Sequence, residues 1–272
     1  MTTKIPIDLT SVQETLLLPL WGRAVETRKA AHQLTDTFAA EIVDAIDYDF
    51  TIIAKNISYI TRYAWIARSI HFDRTIRGFL KLHPGAAVVN IGCGLDTTFE
   101  RIDDGRVSWI DLDLPDVIDL RRKFIGDTDR RKTVASSFLD YQWFDALCKT
   151  CPVMFVGAGV FYYFEEPQIR DFFSHAATAF SYCEILFDSA SPFGVKTANE
   201  RVIKAGGMSK SAILKWGLKR AKDIERWDER FHVLEEYPLF RGLKKGFGLK
   251  EKYGLFLSDF LKVMSIVHVK VG

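Results

Sequence analysis

The segment Gly92-Cys93-Gly94-Leu95-Asp96-Thr97 has the residue types of a loop that binds a nucleotide-like ligand. It directly follows the apolar run 86–91, which is typical of a buried strand. Glycines let the backbone turn tightly and approach a ligand closely, and the N–H groups at the start of the next helix are free to bind it. In an open parallel sheet, ligands bind outside the carboxyl ends of the strands, where such loops meet. The segment therefore predicts a ligand site at that edge of a sheet.

Two acidic residues close the next apolar run, in Asp111-Leu112-Asp113. Residues two apart in a strand lie on the same side, and Asp113 is the nearer of the two to the loop. A carboxylate in this place can accept two hydrogen bonds from the vicinal hydroxyls of a ribose. The alternative is that Asp111 or Asp113 caps the following helix, which is expected to begin near Pro115. We favour Asp113 as a ribose ligand.

The glycine pattern also bears on which ribose-containing ligand is bound. A dinucleotide fingerprint reads G-x-G-x-x-G, and Thr97 occupies the place of the third glycine. The sequence carries no further pyrophosphate-binding signal beyond the turn, so the pattern argues against NAD. These residues alone do not separate a dinucleotide from S-adenosylmethionine.

The elements expected to position these residues alternate between apolar strands and helices from residue 84 onward. Such alternation predicts an α/β fold with a mostly parallel sheet covered by helices on both faces. The predicted strands lie at 86–91, 107–113, 133–136, 153–158, 183–188, 232–234 and 264–269. We expect one domain, residues 1–272, with its core at 84–191 and 230–272.

Two further regions are predicted to be helical. Residues 1–83 form an N-terminal helical region, because apolar residues recur there at spacings of three and four. The stretch 192–229 is basic and amphipathic, and we expect it to be a helical insertion. An excursion of this kind between core strands usually caps the carboxyl ends of the sheet, and decoration of the surface is the alternative.

The charge of the chain is nearly balanced. Of its 272 residues, 37 are basic and 35 acidic, and a net charge of +2 gives no support to broad nucleic-acid binding. The basic stretches 121–123, 130–132 and 215–230 are interpreted as solvated helix faces. The apolar runs are too short to span a bilayer, so we expect no membrane partner.

Four cysteines are too few to staple a chain of this length, which favours a reducing, cytoplasmic compartment. Cys148 and Cys151 form one C-x-x-C pair. A redox pair is the alternative, but two unrelated cysteines are the preferred interpretation. Zinc would need a second ligand pair at suitable spacing, and since none is evident we expect no metal.

Six stretches of the chain, taken together and in order, resemble the leucine carboxyl methyltransferase family. Within it they are most similar to the microbial branch named after a tetracenomycin polyketide-synthesis O-methyltransferase. The stretches are 17–26, 88–101, 109–118, 136–140, 159–166 and 187–193. The resemblance implies the seven-stranded, mostly parallel sheet of class I S-adenosylmethionine-dependent methyltransferases, with N-terminal helices and a helical cap. It also implies S-adenosylmethionine as the methyl donor.

The resemblance further implies which residues contact that cofactor. Gly92 and Gly94 would let the loop pass the methionine part, and Asp113 would hold the ribose. The adenine would be framed by Ser137, Phe138 and Asp140. Arg68 matches a family arginine that pairs with the cofactor carboxylate, which suits a guanidinium because the pair can be bidentate. The alternative for Arg68 is a salt bridge to Asp73 or another helix acid.

The chain departs from the family pattern after the fourth core strand. The family usually reads Ala-Glu-Gly-Val there, whereas this chain reads Gly157-Ala158-Gly159-Val160. Ala158 cannot accept a hydrogen bond from the ammonium of the cofactor. Either another acid compensates, with Asp96 the nearest by position, or affinity is weaker, or catalysis has been lost. We prefer the first two accounts.

The acceptor implied by the resemblance is a carboxylate, which is ionised near neutral pH and needs no general base. No catalytic residue is therefore assigned. Methylation of a small-molecule carboxylate, such as a polyketide-type acid, is the leading hypothesis. The alternatives are methylation of a protein carboxyl terminus and a non-catalytic module that binds S-adenosylmethionine or S-adenosylhomocysteine. The side chains expected to orient the acceptor are Tyr162, Tyr163, Lys196 and Arg201. Tyr163 could equally be a core aromatic, Lys196 and Arg201 could merely decorate the cap, and the oligomeric state stays open.

Overall fold

The computed structural model describes residues 4–7, 14–205 and 213–272. The strands are β1 (Ile5–Pro6), β2 (Ile46–Asp47), β3 (Ala87–Ile91), β4 (Ser108–Asp113), β5 (Arg131–Ala135), β6 (Val153–Gly157), β7 (Cys183–Ala190), β8 (Phe231–Pro238) and β9 (Met264–Val271). β1 and β2 form a small parallel pair. The other seven strands form one sheet in the order β5-β4-β3-β6-β7-β9-β8.

The sheet is parallel from β5 to β7, and β9 runs antiparallel between β7 and β8. β3 and β4, which carry the glycine loop and Asp113 at their ends, are direct neighbours. Every strand predicted from the sequence is present. The α/β fold with a seven-stranded, mostly parallel sheet is therefore confirmed.

The helices are α1 (Glu14–Thr27), α2 (Thr37–Ala45), α3 (Thr51–Asn56), α4 (Tyr59–Leu82), α5 (Thr98–Ile102), α6 (Pro115–Arg122), α7 (Glu166–Ala179), α8 (Pro192–Ala205) and α9 (Leu249–Phe260). The longest of these, α4, is preceded by Ser58, whose side chain accepts a hydrogen bond from the Thr61 N–H. It is followed by His83, its C-cap, just before Pro84. Among the described residues, no helix is both long enough and apolar enough to span a bilayer.

Strand alternation divides the core between the two faces of the sheet. In β3, Val89 and Ile91 pack into the cluster that contains Phe172 of α7, whereas Val88 packs into the cluster that contains Ile76 of α4. Both faces of this strand are buried, as expected for a central parallel strand. The carboxyl ends of the strands, where the glycine loop lies, are thereby held by packing on both sides.

The insertion is less helical than predicted. Helix α8 and a short 3-10 helix at Ala221–Arg226 are present, but residues 213–220 are not helical, so that expectation is wrong. The side chain of Asn199 exchanges two hydrogen bonds with the backbone of Leu214, at 2.8 and 2.9 Å. The N–H groups of Lys215 and Trp216 donate to the Tyr162 carbonyl. These long-range bonds use the backbone groups that a helix would have needed.

The expectation that the three basic stretches are solvated helix faces is wrong, because 130–132 lies at the start of β5, 215–220 is not helical, and 121–123 is partly buried. Arg121 is 1% exposed and Arg131 is 4% exposed. Arg121 pairs with Asp111, and Arg131 with Glu100. Burial of these arginines requires such partners, because an uncompensated charge in the interior is costly.

The paired cysteines also differ from the preferred interpretation. Cys148 and Cys151 are joined by a disulfide, whereas Cys93 and Cys183 are free and buried. The disulfide lies between the 3-10 helix Tyr141–Ala146 and β6, at the amino end of that strand. The interpretation of Cys148 and Cys151 as two unrelated cysteines is therefore wrong.

Candidate functional site

The loop after β3 adopts a backbone that only glycine fits comfortably. Gly92 and Gly94 have φ angles of +61° and +45°. A Cβ atom at Gly92 would lie 2.6 Å from Cγ2 of Val160, and one at Gly94 would lie 2.9 Å from Cδ2 of Leu16. Both the backbone conformation and the close neighbours therefore require glycine here. The loop lies between the segment that follows β6 and helix α1.

Asp113 ties the end of β4 to this loop. Its Oδ2 atom accepts a hydrogen bond of 2.8 Å from the Gly94 N–H, and its Oδ1 atom accepts one of 2.8 Å from the Leu114 N–H. Burial raises the pKa of the Asp113 carboxyl, although both backbone hydrogen bonds act in the opposite direction. The N-cap of α6 is Leu114, without a side-chain cap, so the helix-capping alternative is wrong. The ribose role stays a prediction.

Asp111 has a different task from Asp113. It is fully buried, and its carboxylate accepts hydrogen bonds from Nε1 of Trp109 at 2.9 Å and from Nη2 of Arg121 at 2.6 Å. Arg121 Nη1 in turn donates to the carbonyls of Gly94 and Asp96, at 2.9 and 2.8 Å. The Asp111–Arg121 pair therefore braces the glycine loop from inside the protein. Sequence reasoning missed this brace.

Asp96 is held in a charged network with the N-terminal region. Its carboxylate lies 3.6 Å from Nη2 of Arg23, and that nitrogen also donates to the Leu95 carbonyl. Burial alone would raise the pKa of Asp96, but Arg23 and Arg101 hold it well below its usual value. The negative charge of Asp96 is thus already balanced by Arg23 and Arg101.

The same network extends through Asp36, which is 1% exposed. Asp36 accepts hydrogen bonds from Nε of Arg23 at 2.9 Å and from Nη1 of Arg101 at 2.6 Å. Arg101 also forms a two-pronged pair with Asp73, at 2.8 and 2.9 Å. Asp73 is therefore the partner of Arg101, and the suggested salt bridge between Arg68 and Asp73 is wrong.

Arg68 instead reaches the carboxyl ends of β6 and β7. Its Nη1 atom donates to Oδ2 of Asp188 at 3.0 Å, and the Tyr162 hydroxyl is a second hydrogen-bond partner. Burial alone would lower the pKa of Arg68, but Asp188 and Tyr162 raise it above its usual value. The Gly159 N–H donates to Oδ1 of the same Asp188 at 2.6 Å. Sequence reasoning missed Asp188, although it belongs to the stretch 187–193 that carried the family resemblance.

The segment after β5 contains the three residues predicted to frame an adenine. Asp140 accepts from the Gln142 N–H at 3.3 Å, and Ser137 Oγ accepts from the Leu139 N–H at 3.2 Å. Asp140 is exposed, and Ser137 is half-buried. The Phe138 ring is 5% exposed and packs edge-on against Phe164, at a centroid distance of 4.7 Å. Phe138 is thus mainly a core residue, and the adenine contacts stay predictions.

The residues predicted to orient an acceptor are only partly brought together. Tyr162 is buried beside Arg68. The Tyr163 ring packs edge-on against the Tyr162 ring, at a centroid distance of 4.9 Å. Burial raises the pKa of both tyrosine hydroxyls. Lys196 lies exposed on α8. Arg201 is on the same helix, but its side chain lies outside the described part of the chain.

The strand order and the solved structures that share it show the fold of class I S-adenosylmethionine-dependent methyltransferases. A protein from Thermobifida fusca, described as a candidate methyltransferase, shares this fold with a TM-score of 0.57 at 13% identity, over 92% of this chain and 94% of that one. A chain in the Haloferax volcanii complex of the Trm112 methyltransferase activator gives a TM-score of 0.50 at 17% identity, over 76% and 94% of the two chains.

Sequence relatives identify the family. The family model described as leucine carboxyl methyltransferase matches residues 17–177. The tetracenomycin polyketide synthesis O-methyltransferase TcmP of Streptomyces glaucescens is 30% identical over 84% of this chain and 86% of its own. The S-adenosyl-L-methionine-dependent methyltransferase dpfgK of Gibberella zeae is 32% identical over 44% and 43% of the two chains. This chain belongs to the leucine carboxyl methyltransferase family, and the predicted resemblance is confirmed.

Proposed function

We propose that this protein is an S-adenosylmethionine-dependent O-methyltransferase. The observation that carries the proposal is the hydrogen bond between Asp113 and the Gly94 N–H, which joins the ends of β3 and β4 into one binding edge. The relatives support it, because one is named as an O-methyltransferase and another as S-adenosyl-L-methionine-dependent.

The residues at this edge fit such a cofactor. The loop at Gly92 and Gly94 brings backbone without side chains to the place where the methionine part would lie. Asp113 retains lone pairs for ribose hydroxyls after its two backbone bonds. Arg68 presents a guanidinium with further donors for a carboxylate. When bound, the cofactor would supply an electrophilic methyl group on a sulfonium.

We infer that the acceptor is a carboxylate of a small molecule, such as a polyketide-type acid. A carboxylate is ionised at neutral pH, so the protein needs only to hold its oxygen in line with the methyl group and exclude water. Tyr162 and Tyr163 lie beside Arg68 and are the groups that would orient the acceptor. The S. glaucescens relative, named for polyketide synthesis, supports this substrate class.

The alanine at 158, in place of the glutamate that the resemblance implies, favours one alternative, a module that binds the cofactor without methyl transfer. Two measurements separate these functions. Calorimetric titration with S-adenosylmethionine tests binding, and no detectable heat at saturating ligand would contradict both. Incubation of the protein with radiolabelled methyl donor and a panel of aromatic and polyketide-type acids then tests transfer. A methyl ester releases labelled methanol in base and a methyl ether does not, so the released methanol identifies carboxylate methylation.

A further inference from the structure

Asp188 is a buried acid at the carboxyl end of β7. Its side chain is 0% exposed, and each of its two oxygens has a partner on a different element. Oδ2 accepts from Arg68 of α4, and Oδ1 accepts from the backbone N–H of Gly159, which follows β6. One carboxylate thus joins a helix, a loop and a strand at a single point.

The backbone at Gly159 is shaped around this contact. Gly159 has a φ angle of +77°, and a Cβ atom there would lie 2.7 Å from Nη1 of Arg68 and 3.1 Å from the Tyr162 hydroxyl. The next residue, Val160, lies against Gly92 of the glycine loop. The Arg68 guanidinium is therefore held next to the loop that would pass the methionine part of the cofactor.

The positive charge of the Arg68 guanidinium is balanced by Asp188. The Arg68 side chain is 13% exposed, so its positive charge lies largely out of water. The residue before Gly159 is Ala158, which brings no charge of its own. Without Asp188, Arg68 would be a largely buried cation held, among the described residues, only by the neutral Tyr162 hydroxyl, which is costly and leaves its direction poorly fixed for binding a carboxylate.

We propose that Asp188 is a positioning residue that aims Arg68 at the carboxylate of the bound cofactor. Asp188 does not touch the ligand itself. It fixes one side of the guanidinium, so that the remaining N–H groups point in a set direction toward the amino-acid end. The inference rests on the proposed use of S-adenosylmethionine at this edge.

The test compares two ligands that differ at that end. S-adenosylhomocysteine carries the amino-acid carboxylate, and 5′-methylthioadenosine has the same nucleoside and sulfur without it. In Asp188→Asn we expect the dissociation constant for S-adenosylhomocysteine to rise about tenfold or more. The value for 5′-methylthioadenosine should stay within about twofold of the wild type, because that ligand makes no use of Arg68.

A double-mutant comparison shows whether Asp188 acts through Arg68. In an Arg68→Gln background, Asp188→Asn should have no further effect on S-adenosylhomocysteine binding, because its target is already gone. Glu184→Gln is the matched control. Glu184 is a buried acid on the same strand, bonded to His268 at 2.6 Å near the other end of β7, and its loss should affect neither ligand.

The outcomes are distinct. An equal loss of both ligands in Asp188→Asn, unchanged binding of S-adenosylhomocysteine, or additive effects with Arg68→Gln would overturn the positioning role. Failure of the wild type to bind S-adenosylhomocysteine would contradict the proposed function instead. If Asp188→Asn does not fold, Asp188→Glu keeps the charge but moves the carboxylate by one methylene. It should show the same ligand selectivity to a smaller extent.

Discussion

At the scale of single residues, Asp111 and Asp113 of β4 bind different partners at the end of the strand. Asp111 is fully buried and balances Arg121, while Asp113 is half-buried and holds the Gly94 N–H. Their spacing of two puts both on the same side of β4, but only Asp113 reaches the loop end. Asp113, which has no cationic partner in the described part of the chain, therefore remains the acid that we propose for the ribose.

Replacing Asp113 with Ala removes the proposed ribose acceptor and the partner of the Gly94 N–H. We expect the affinity for S-adenosylhomocysteine to fall about tenfold or more, because a charged acceptor is lost from two ligand hydroxyls. Asp119→Ala, at an exposed acid on the neighbouring helix α6, should leave affinity unchanged. Calorimetry on both folded variants makes the comparison, and equal affinities would remove Asp113 from the site.

Ala158 offers a second test at this scale. If another acid already compensates for the missing glutamate, a new carboxylate in Ala158→Glu adds little for the ammonium of the ligand. We expect the affinity for S-adenosylhomocysteine to stay within about twofold of the wild type. A gain of about tenfold, measured in the same titration, would mean that alanine weakens the site instead.

At the scale of elements, α4 makes three long-range polar contacts along its length. Arg68 faces the ends of β6 and β7, Asp73 joins the network of Arg101, and His71 contacts the segment after β8. His71 Nε2–H donates to the Leu239 carbonyl at 2.9 Å, and its Nδ1 finds no hydrogen-bond partner among the described residues. A neutral histidine therefore fastens this helix to the far side of the sheet.

Burial, together with the charge of Arg74, lowers the pKa of His71 to about 4. The unfolded state binds this proton near pH 6.5 and the folded state only near pH 4, so stability falls as pH falls through that window. Between about pH 7 and pH 4.5, the wild type should lose about 2–3 kcal/mol more unfolding free energy than His71→Gln. Urea unfolding at both pH values measures the difference. The exposed His175→Gln should behave as the wild type does, and an identical pH dependence in all three proteins would refute the assignment.

Helix α6 contributes the brace beneath the glycine loop. Arg121→Met removes two hydrogen bonds to loop carbonyls and leaves the buried Asp111 without its arginine. Breaking such a pair should lower the unfolding free energy by about 3–5 kcal/mol. Arg122→Met, at the half-exposed next residue, is the control and should cost less than about 1 kcal/mol. A loss in Arg121→Met as small as that of the control would mean that the brace adds little stability.

At the scale of the whole molecule, the sequence predicted the sheet well because strand signals are local. Apolar runs and the turns after them depend on neighbours in the chain, so the seven core strands were recognised. The basic segment 213–220 was misjudged because its conformation depends on Asn199 and Tyr162, which are distant in sequence. Periodicity alone carries no information about such partners.

In the candidate site, the residues next to strand ends were predicted from the sequence, and the long-range ion pairs were not. Gly92, Gly94 and Asp113 follow directly from the strand-to-loop pattern, and the structure joins two of them by a hydrogen bond. Asp188 lies 120 positions after its partner Arg68 in the sequence. The buried state of Arg121 depends on Asp111 across two elements. Ion pairs of this kind arise only when the sheet is assembled, so composition and spacing do not indicate them.

The contact between Gly92 and Val160 limits which substitutions the glycine loop can accept. A methyl group of Val160 occupies the space that a side chain at position 92 would need. Replacing Gly92 with a larger residue therefore requires a simultaneous loss of volume at 160, and even then the left-handed backbone favours few residues. A library that varies the loop one position at a time should recover only glycine at 92. Diversity at this turn would have to be designed by varying both segments together.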